Sequence, residues 1–316
     1  MPSILFVKTS SLGDVVHNGP AVSDLRRALP GTAIDWVVEE SFVEVARLHG
    51  AVRRVIPVAV RRWRRRLYDP ATWRELSAFR VALCAEHYDC VIDTQGLVKS
   101  ALIAASARGV KHGFDAASAR EPLAASFYDA QHNVPLALHA VERNRRLTCA
   151  ALDIAVEGPA EYGFATTADR GAAGGNSVVM LLTMSSRADK LWPDAHWRDL
   201  LAWLAPRGLS CVLPWGSEDE RARCIRIAAG YSHARVPERM SITNLAALLR
   251  GARAVVGVDT GLTHLAAGIG VPTAGIYCSS DPALTGLYAV TPVRNLGTRG
   301  APPSVDEART ALEAWL

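Results

Sequence analysis

The sequence lacks most of the features that mark common alternatives. Its 316 residues include only six cysteines (Cys84, Cys90, Cys149, Cys211, Cys224 and Cys278), with no Cys-x-x-Cys pair and no metal-like cluster. Free thiols in a cytosolic protein are therefore expected. No basic stretch, apolar core and cleavage site open the chain, so no signal peptide is read. Thr260 to Ser280 contains no Asp, Glu, Lys or Arg, but Pro272 and several glycines divide it. It reads as a short helix and a strand in a buried βα unit, not as a membrane span. No Gly-x-x-x-x-Gly-Lys-Ser/Thr occurs, which removes ordinary P-loop nucleotide hydrolysis. No clean Gly-x-Gly-x-x-Gly follows a strand, which weakens a dehydrogenase reading. The net charge of +4 is mild and does not argue for nucleic acid.

What is present fits an α/β protein. At 49% hydrophobic residues, the chain can fill two cores, and its length suits two domains of about 150 residues. Strands are expected at 3–7, 33–38, 54–60 and 88–93, then at 177–183, 209–214, 253–258 and 273–277. Helical spacing falls between them, at 71–86, 97–107, 194–205, 218–229, 242–250 and 261–268. Pro20 suits a helix start and Pro30-Gly31 its stop. This alternation predicts parallel sheets with helices on both faces. The domain break is expected at residues 171–177, Gly/Ala-rich and polar, giving domains over 1–165 and 175–300. A final helix from Val305 is expected to return to the first domain.

Three loops carry chemistry. Ile4-Leu5-Phe6-Val7 runs into Lys8-Thr9-Ser10-Ser11-Leu12-Gly13-Asp14, a buried strand ending in a polar βα turn. Ligands of open α/β sheets sit outside the carboxyl ends of strands, so Asp14 can meet a substrate there. Val258-Asp259-Thr260-Gly261 is a second such loop, and two of them suggest two sheets facing one cleft. Its backbone N–H groups open a helix and suit a phosphate; a plain helix cap by Asp259 or Thr260 is the alternative. Asp-Thr-Gly also marks aspartic proteases, and Asp93-Thr94-Gln95-Gly96 is nearly a second copy. Those enzymes are all-β, whereas both motifs here precede helices. Ser185-Ser186-Arg187-Ala188-Asp189-Lys190 follows a strong strand, and its hydroxyls and cations suit a diphosphate, or a solvated loop.

Arg61-Arg62-Trp63-Arg64-Arg65-Arg66 is the densest charge in the chain. Between Ala51 and Leu67 stand seven arginines and no acid. A solvated face, a nucleic acid, or a phosphorylated sugar or lipid head group would each explain it. The mild net charge favours the last.

Taken together, these segments resemble the ADP-heptose:lipopolysaccharide heptosyltransferases, nearest those that add the first inner-core heptose. The resemblance rests on Val7-Lys-Thr-Ser-Ser-Leu-Gly-Asp14, Asp35-Trp-Val-Val-Glu-Glu40, Val55-Ile-Pro-Val58 with Arg61-Arg-Trp-Arg64, and Gln95-Gly-Leu-Val-Lys-Ser100. It continues through Val110-Lys-His-Gly113, Ala119-Arg-Glu-Pro-Leu123, His139-Ala-Val-Glu-Arg143, Leu213-Pro-Trp-Gly216 and Val258-Asp-Thr-Gly261. It implies a GT-B glycosyltransferase fold, two Rossmann-like domains facing a central cleft. The first domain would hold the acceptor and the second the nucleotide sugar. It also implies inverting transfer of heptose from ADP-heptose to a Kdo residue of Kdo-lipid A.

The same resemblance assigns roles. Asp14 is the general base, and Lys190 stabilises the departing ADP. Ser10, Ser11, Gly13, Ser185, Ser186, Arg187, Asp259, Thr260, Gly261 and His264 hold the donor. Ser185 and Ser186 stand where relatives usually carry threonine. Glu220 would bind ribose and Met240 would lie against adenine. Arg61, Arg62, Arg64, Lys99, Arg120 and His139 would meet the acceptor's phosphates and carboxylates. No Asp-x-Asp metal motif stands out, so no cofactor or divalent metal is expected. The partners implied are ADP-heptose, Kdo-lipid A and the anionic inner membrane, with no nucleic acid. The implied location is cytoplasmic, peripheral on the inner membrane. The alternatives are addition of a later heptose, another GT-B nucleotide-sugar enzyme such as an epimerase, and an anion- or nucleic-acid-binding protein using residues 53–66.

Overall fold

The computed structural model describes residues 2–165 and 177–316. It divides into two compact units, Met1–Gly163 and Phe164–Leu316. Residues 171–176 of the expected break lie outside the described residues.

In the first unit the strands are β1 (Ser3–Val7), β2 (Ala33–Glu39), β3 (Val52–Val58), β4 (His87–Asp93), β5 (Arg108–Phe114) and β6 (Ala130–His132). Its helices are α1 (Leu12–Val16), α2 (Gly19–Ala28), α3 (Val43–Arg47), α4 (Val60–Trp63), α5 (Pro70–Cys84), α6 (Val98–Ser106) and α7 (Ala140–Leu152). The sheet order is β3-β2-β1-β4-β5-β6, with every pair parallel. This is the doubly wound dinucleotide-binding order. Ile4 to Val7 are all buried, the continuous apolar run that a strand covered on both faces requires.

The second unit repeats that order. Its strands are β7 (Val178–Leu182), β8 (Ser210–Val212), β9 (Ala234–Arg235), β10 (Ala254–Val258), β11 (Thr273–Ile276) and β12 (Val293–Leu296). Its helices are α8 (Asp194–Leu204), α9 (Glu218–Ala228), α10 (Ile242–Arg250), α11 (Gly261–Gly268), α12 (Pro282–Thr285) and α13 (Val305–Glu313). The sheet runs β12-β11-β10-β7-β8-β9, again all parallel. Counted from its own first strand, this is the order of the first unit.

Four strands, β5, β6, β9 and β12, were not among those expected. The C-terminal helix also departs from expectation. Ala308, Ala311 and Leu312 of α13 join the second unit's core with Trp192, Trp197 and Leu201. Trp192 Nε1 donates to Pro303 O at 2.9 Å, and Arg309 Nη2 to Asp199 O at 3.2 Å. The helix covers α8 because its small apolar stripe fits there, and it belongs to the second unit, not the first.

Candidate active site

The first unit concentrates charge at the carboxyl ends of β1, β2 and β4. Ser11 is the N-cap of α1 and Asp14 its third residue, so the turn is a capping box. Asp14 Oδ2 accepts from Ser11 N at 2.8 Å and from Ser11 Oγ at 3.1 Å. Its Oδ1 accepts from Arg120 Nη2 at 2.7 Å. Burial alone would raise the Asp14 carboxyl. The charges of Arg120 and Lys8 outweigh it, and the carboxyl is held well below the usual carboxylate range. Asp14 is thus ionised at any physiological pH. Arg120, expected on the acceptor, is in this structure the ion-pair partner of Asp14.

Lys8 was not singled out by sequence, although a lysine at the end of a buried apolar strand was a usable signal. It is 3% exposed. Its Nζ donates to Thr94 O at 2.7 Å and to Asn144 Oδ1 at 3.3 Å. Burial pushes the ammonium down to about 7, with Asp14 opposing the fall. Gln95, also missed, holds the loop: its Oε1 accepts from Thr9 N at 2.7 Å and Thr9 Oγ1 at 2.8 Å. Lys99 Nζ donates to Ser10 Oγ at 3.0 Å, and burial, reinforced by Arg61, lowers its ammonium below the ordinary value. Glu39, at the end of β2, accepts from Arg61 N at 3.2 Å. Burial raises its carboxyl.

The arginine run splits in two. Arg53 and Arg54 both pair with the buried Asp35 at 2.9 Å. Arg62 is forked onto Glu40 at 3.0 and 3.1 Å and pairs with Glu75 at 2.8 Å. These partners come from elsewhere in the chain, which is why a stretch without acids tolerates its own repulsion. Arg62 is therefore a brace of its loop and not an open cation. Arg61, Arg64, Arg65 and Arg66 are exposed and make no ion pair among the described residues. His139 caps α7, its Nδ1 accepting from Val141 N at 3.2 Å, and its ring meets His17 edge-on.

In the second unit Asp259 follows β10 and is the centre of a network. Its Oδ2 accepts from Lys190 Nζ at 2.6 Å and from Ser280 Oγ at 2.5 Å, and its Oδ1 lies 3.2 Å from His264 Nε2. Burial would raise this carboxyl too; the hydrogen bond and charge of His264, then Lys190 and Ser280, hold it well below the usual range. Ser185 Oγ reaches Asp259 O at 3.5 Å. Four of the expected residues, Ser185, Lys190, Asp259 and His264, thus meet at the start of α11, with Thr260 as N-cap and Gly261 as its first residue. The cap makes no side-chain bond, and the N–H groups of Gly261 and Leu262 have no acceptor among the described residues, which leaves them for a ligand. Ser280 was missed, because a serine far downstream carries no local signal.

The remaining donor-side residues are less engaged with that centre. Arg187 is 62% exposed and forked onto Asp189. Ser186 is exposed and Met240 half-buried before Ser241, the N-cap of α10. Glu220 closes the first turn of α9: its Oε2 accepts from Gly216 N at 2.7 Å and its N–H donates to Ser217 Oγ at 3.3 Å. In this structure it serves as a helix-end acid.

Comparison with known proteins agrees with the geometry. The model of glycosyltransferase family 9 (heptosyltransferase) matches residues 76–314. Lipopolysaccharide heptosyltransferase 1 of Escherichia coli strain K12 is 45% identical over 291 residues, 90% of each chain. The solved structure of the E. coli heptosyltransferase WaaC with ADP matches at a TM-score of 0.92 and 41% identity, over 99% of this chain and all of that one. The same protein with ADP-2-deoxy-2-fluoro heptose matches at 0.88 and 39%, over 99% of both chains.

Proposed function

The chain belongs to glycosyltransferase family 9, and from that premise we propose that it transfers L-glycero-D-manno-heptose from ADP-heptose to a Kdo residue of Kdo-lipid A, with inversion, in the lipopolysaccharide inner core. The observation that carries the reading is the placement of Asp14: a carboxylate in the first turn of α1, just beyond β1, paired with Arg120 at 2.7 Å and bound by the Ser11 cap at 2.8 Å.

The Kdo hydroxyl attacks the anomeric carbon of heptose as the bond to the diphosphate breaks and ADP departs with the electron pair. The hydroxyl proton becomes acidic as the new bond forms, so a carboxylate of low basicity can still accept it late. Asp14 is that acceptor. Lys190 and the N–H groups at the start of α11 balance the charge gathering on the departing ADP. Lys190 pairs with Asp259 at 2.6 Å; a diphosphate would share or take over that ammonium. This division of labour needs no divalent metal. Ser10, Ser11, Gly13, Ser185, Ser186, Arg187, Thr260, Gly261 and His264 complete the donor side in this reading, with Glu220 on ribose and Met240 on adenine. Arg61, Arg64 and Lys99 meet acceptor phosphates and carboxylates, Arg120 orders Asp14, and Arg62 and His139 brace the surrounding loops.

No helix among the described residues is long and apolar enough to cross a membrane. The exposed arginines suit attraction to anionic lipid, each worth about 1 kcal/mol near such a surface, and we place the enzyme peripherally on the cytoplasmic face of the inner membrane. Mass spectrometry with ADP-heptose and two acceptors, one ending in Kdo and one already bearing a heptose, tests the reading. One heptose should be added to the first and none to the second. The reverse preference would overturn the Kdo assignment.

A further inference from the structure

The first unit carries a groove whose apolar walls the transfer reaction does not use. It measures about 620 Å³ and lies between the α4–α5 connection and α6. Trp63, Leu83 and Ile103 form its floor and are buried. Leu67, Trp73 and Leu102 form its walls and are 54%, 59% and 49% exposed. Tyr68, beside Leu67, is 85% exposed. Large side chains left this open and this close together are unusual on a soluble surface and mark a contact site.

The walls are held in place. Trp73 Nε1 donates to Leu67 O at 2.9 Å, fixing the indole against the loop. Trp63 Nε1 donates to Glu75 Oε2 at 2.6 Å, and its ring packs on Phe79 at 5.7 Å. Glu75 is in turn bound by Arg62. The groove is thus preformed and does not collapse on its own apolar walls.

Its charge is one-sided. Arg64 and Arg80 are among the lining residues, which include no Asp or Glu. Arg65 and Arg66 sit exposed on the same connection, and Arg74 on the first turns of α5. An occupant must therefore be apolar in its body and anionic at its head. A soluble phosphate fits the rim but not the walls, and an apolar protein helix fits the walls but not the rim. Trp and Tyr favour the membrane–water interface, and arginine stems can lie along apolar surface with their heads at phosphate level.

We infer that this groove is a membrane-docking surface, with Leu67, Tyr68 and Trp73 entering the interface of an anionic phospholipid bilayer and Arg65, Arg66 and Arg80 meeting its phosphates. The inference deepens the functional reading, since it rests on an acceptor that is itself a membrane lipid. It adds an apolar anchor to an attraction that charge alone would leave dependent on salt.

The test uses the full chain and vesicles of phosphatidylethanolamine with phosphatidylglycerol, against phosphatidylcholine alone. The wild type should float with the anionic vesicles and not with the neutral ones. L67S/Y68S/W73S should bind the anionic vesicles about tenfold or more weakly, yet turn over a water-soluble, deacylated acceptor at the wild-type rate, which shows that it folds. Brominated lipid should quench wild-type tryptophan fluorescence, and W73F should lose that quenching. Wild-type flotation by the triple variant, equal flotation on both vesicle types, or quenching unchanged in W73F would each overturn the docking surface. So would lipid-free dimerisation abolished by the triple variant, which would make this face a protein interface. Turnover of the soluble acceptor in any of those cases leaves the transferase reading intact.

Discussion

Asp93 and Asp259 stand at the same place in two sheets of the same order, and the fold has made opposite things of them. Asp93 ends the fourth strand of its unit and Asp259 follows the fourth strand of its own; each precedes a threonine, and each leads into a helix. Asp93 is fully buried, its oxygens taken by Tyr128 Oη at 2.8 Å and by the backbone N–H groups of Gln95 at 2.8 Å and Gly96 at 3.4 Å. No cation pairs with it among the described residues, and burial raises its carboxyl. Asp259 faces Lys190, His264 and Ser280 and is held ionised. The near-duplicate tripeptides are thus a structural knot in one unit and a charged loop in the other. The partners decide which, and they come from distant parts of the chain. Asp14 is a third case, ionised by Arg120, which lies 106 residues away.

The contrast assigns each carboxylate a different failure. The largest is at Asp14. Asp14→Ala should lower transfer by about 10²–10⁴-fold, the usual worth of a general base, while ADP-heptose binding measured by calorimetry stays near wild type. Unchanged turnover would remove Asp14 from the chemistry.

The Asp93/Asp259 comparison is broken or sharpened by removing one partner on each side. Lys190→Ala takes a charge-assisted contact from the diphosphate, a loss of about 1.5–3 kcal/mol, so donor affinity and rate should both fall by about tenfold to a hundredfold. Asp93→Ala instead strands the Tyr128 hydroxyl and two N–H groups. It should destabilise the first unit by about 1–3 kcal/mol for the hydroxyl alone, seen as a lower Tm, with ADP affinity unaltered. A fall in ADP affinity in Asp93→Ala equal to that in Lys190→Ala would erase the distinction.

Much of this was legible in the chain, and the gaps have physical causes. The buried runs of β1, β4 and β7 and the loops after β1 and β10 announce themselves through uninterrupted apolar residues and the polar turns that follow. β5 does not, because Arg108-Gly-Val-Lys-His-Gly-Phe114 reads as a broken strand. Its glycines are required by packing: a Cβ on Gly109 would lie 2.2 Å from Tyr88 O, and one on Gly113 would lie 2.2 Å from the Tyr128 ring that serves Asp93. β9 and β12 are short edge strands with little apolar pattern. The apolar stripe of α13 showed that it packs, but not on which sheet. At the site, Asp14, Lys190 and Asp259 were visible in the polar turns that follow strands, and His264 through the family resemblance. That Arg120 belongs to Asp14, Arg62 to two glutamates and Ser280 to Asp259 depends on contacts across long stretches of chain, which local pattern does not encode.

A pH dependence sharpens the comparison of the two ionised sites. Around Asp14 the compensating charge includes a buried lysine; around Asp259 it comes from His264 and then from Lys190, which is 20% exposed. Lys8 is at 3% exposure, and its ammonium falls from the ordinary 10.5 to about 7. Between those values the unfolded chain holds the proton and the folded one does not, so stability rises with pH across that window. The lysine's contribution is complete above about 10.5 and is lost as pH falls to about 7, where the charge must be carried in the interior. Lys8→Met should therefore look most favourable at pH 6, and its advantage over the wild type should shrink steadily toward pH 10 in denaturant titrations. A pH-independent gap between Lys8→Met and wild type would mean that Lys8 keeps its proton throughout. Asp14 would then hold a fixed positive neighbour, and the two carboxylate sites would be electrostatically alike.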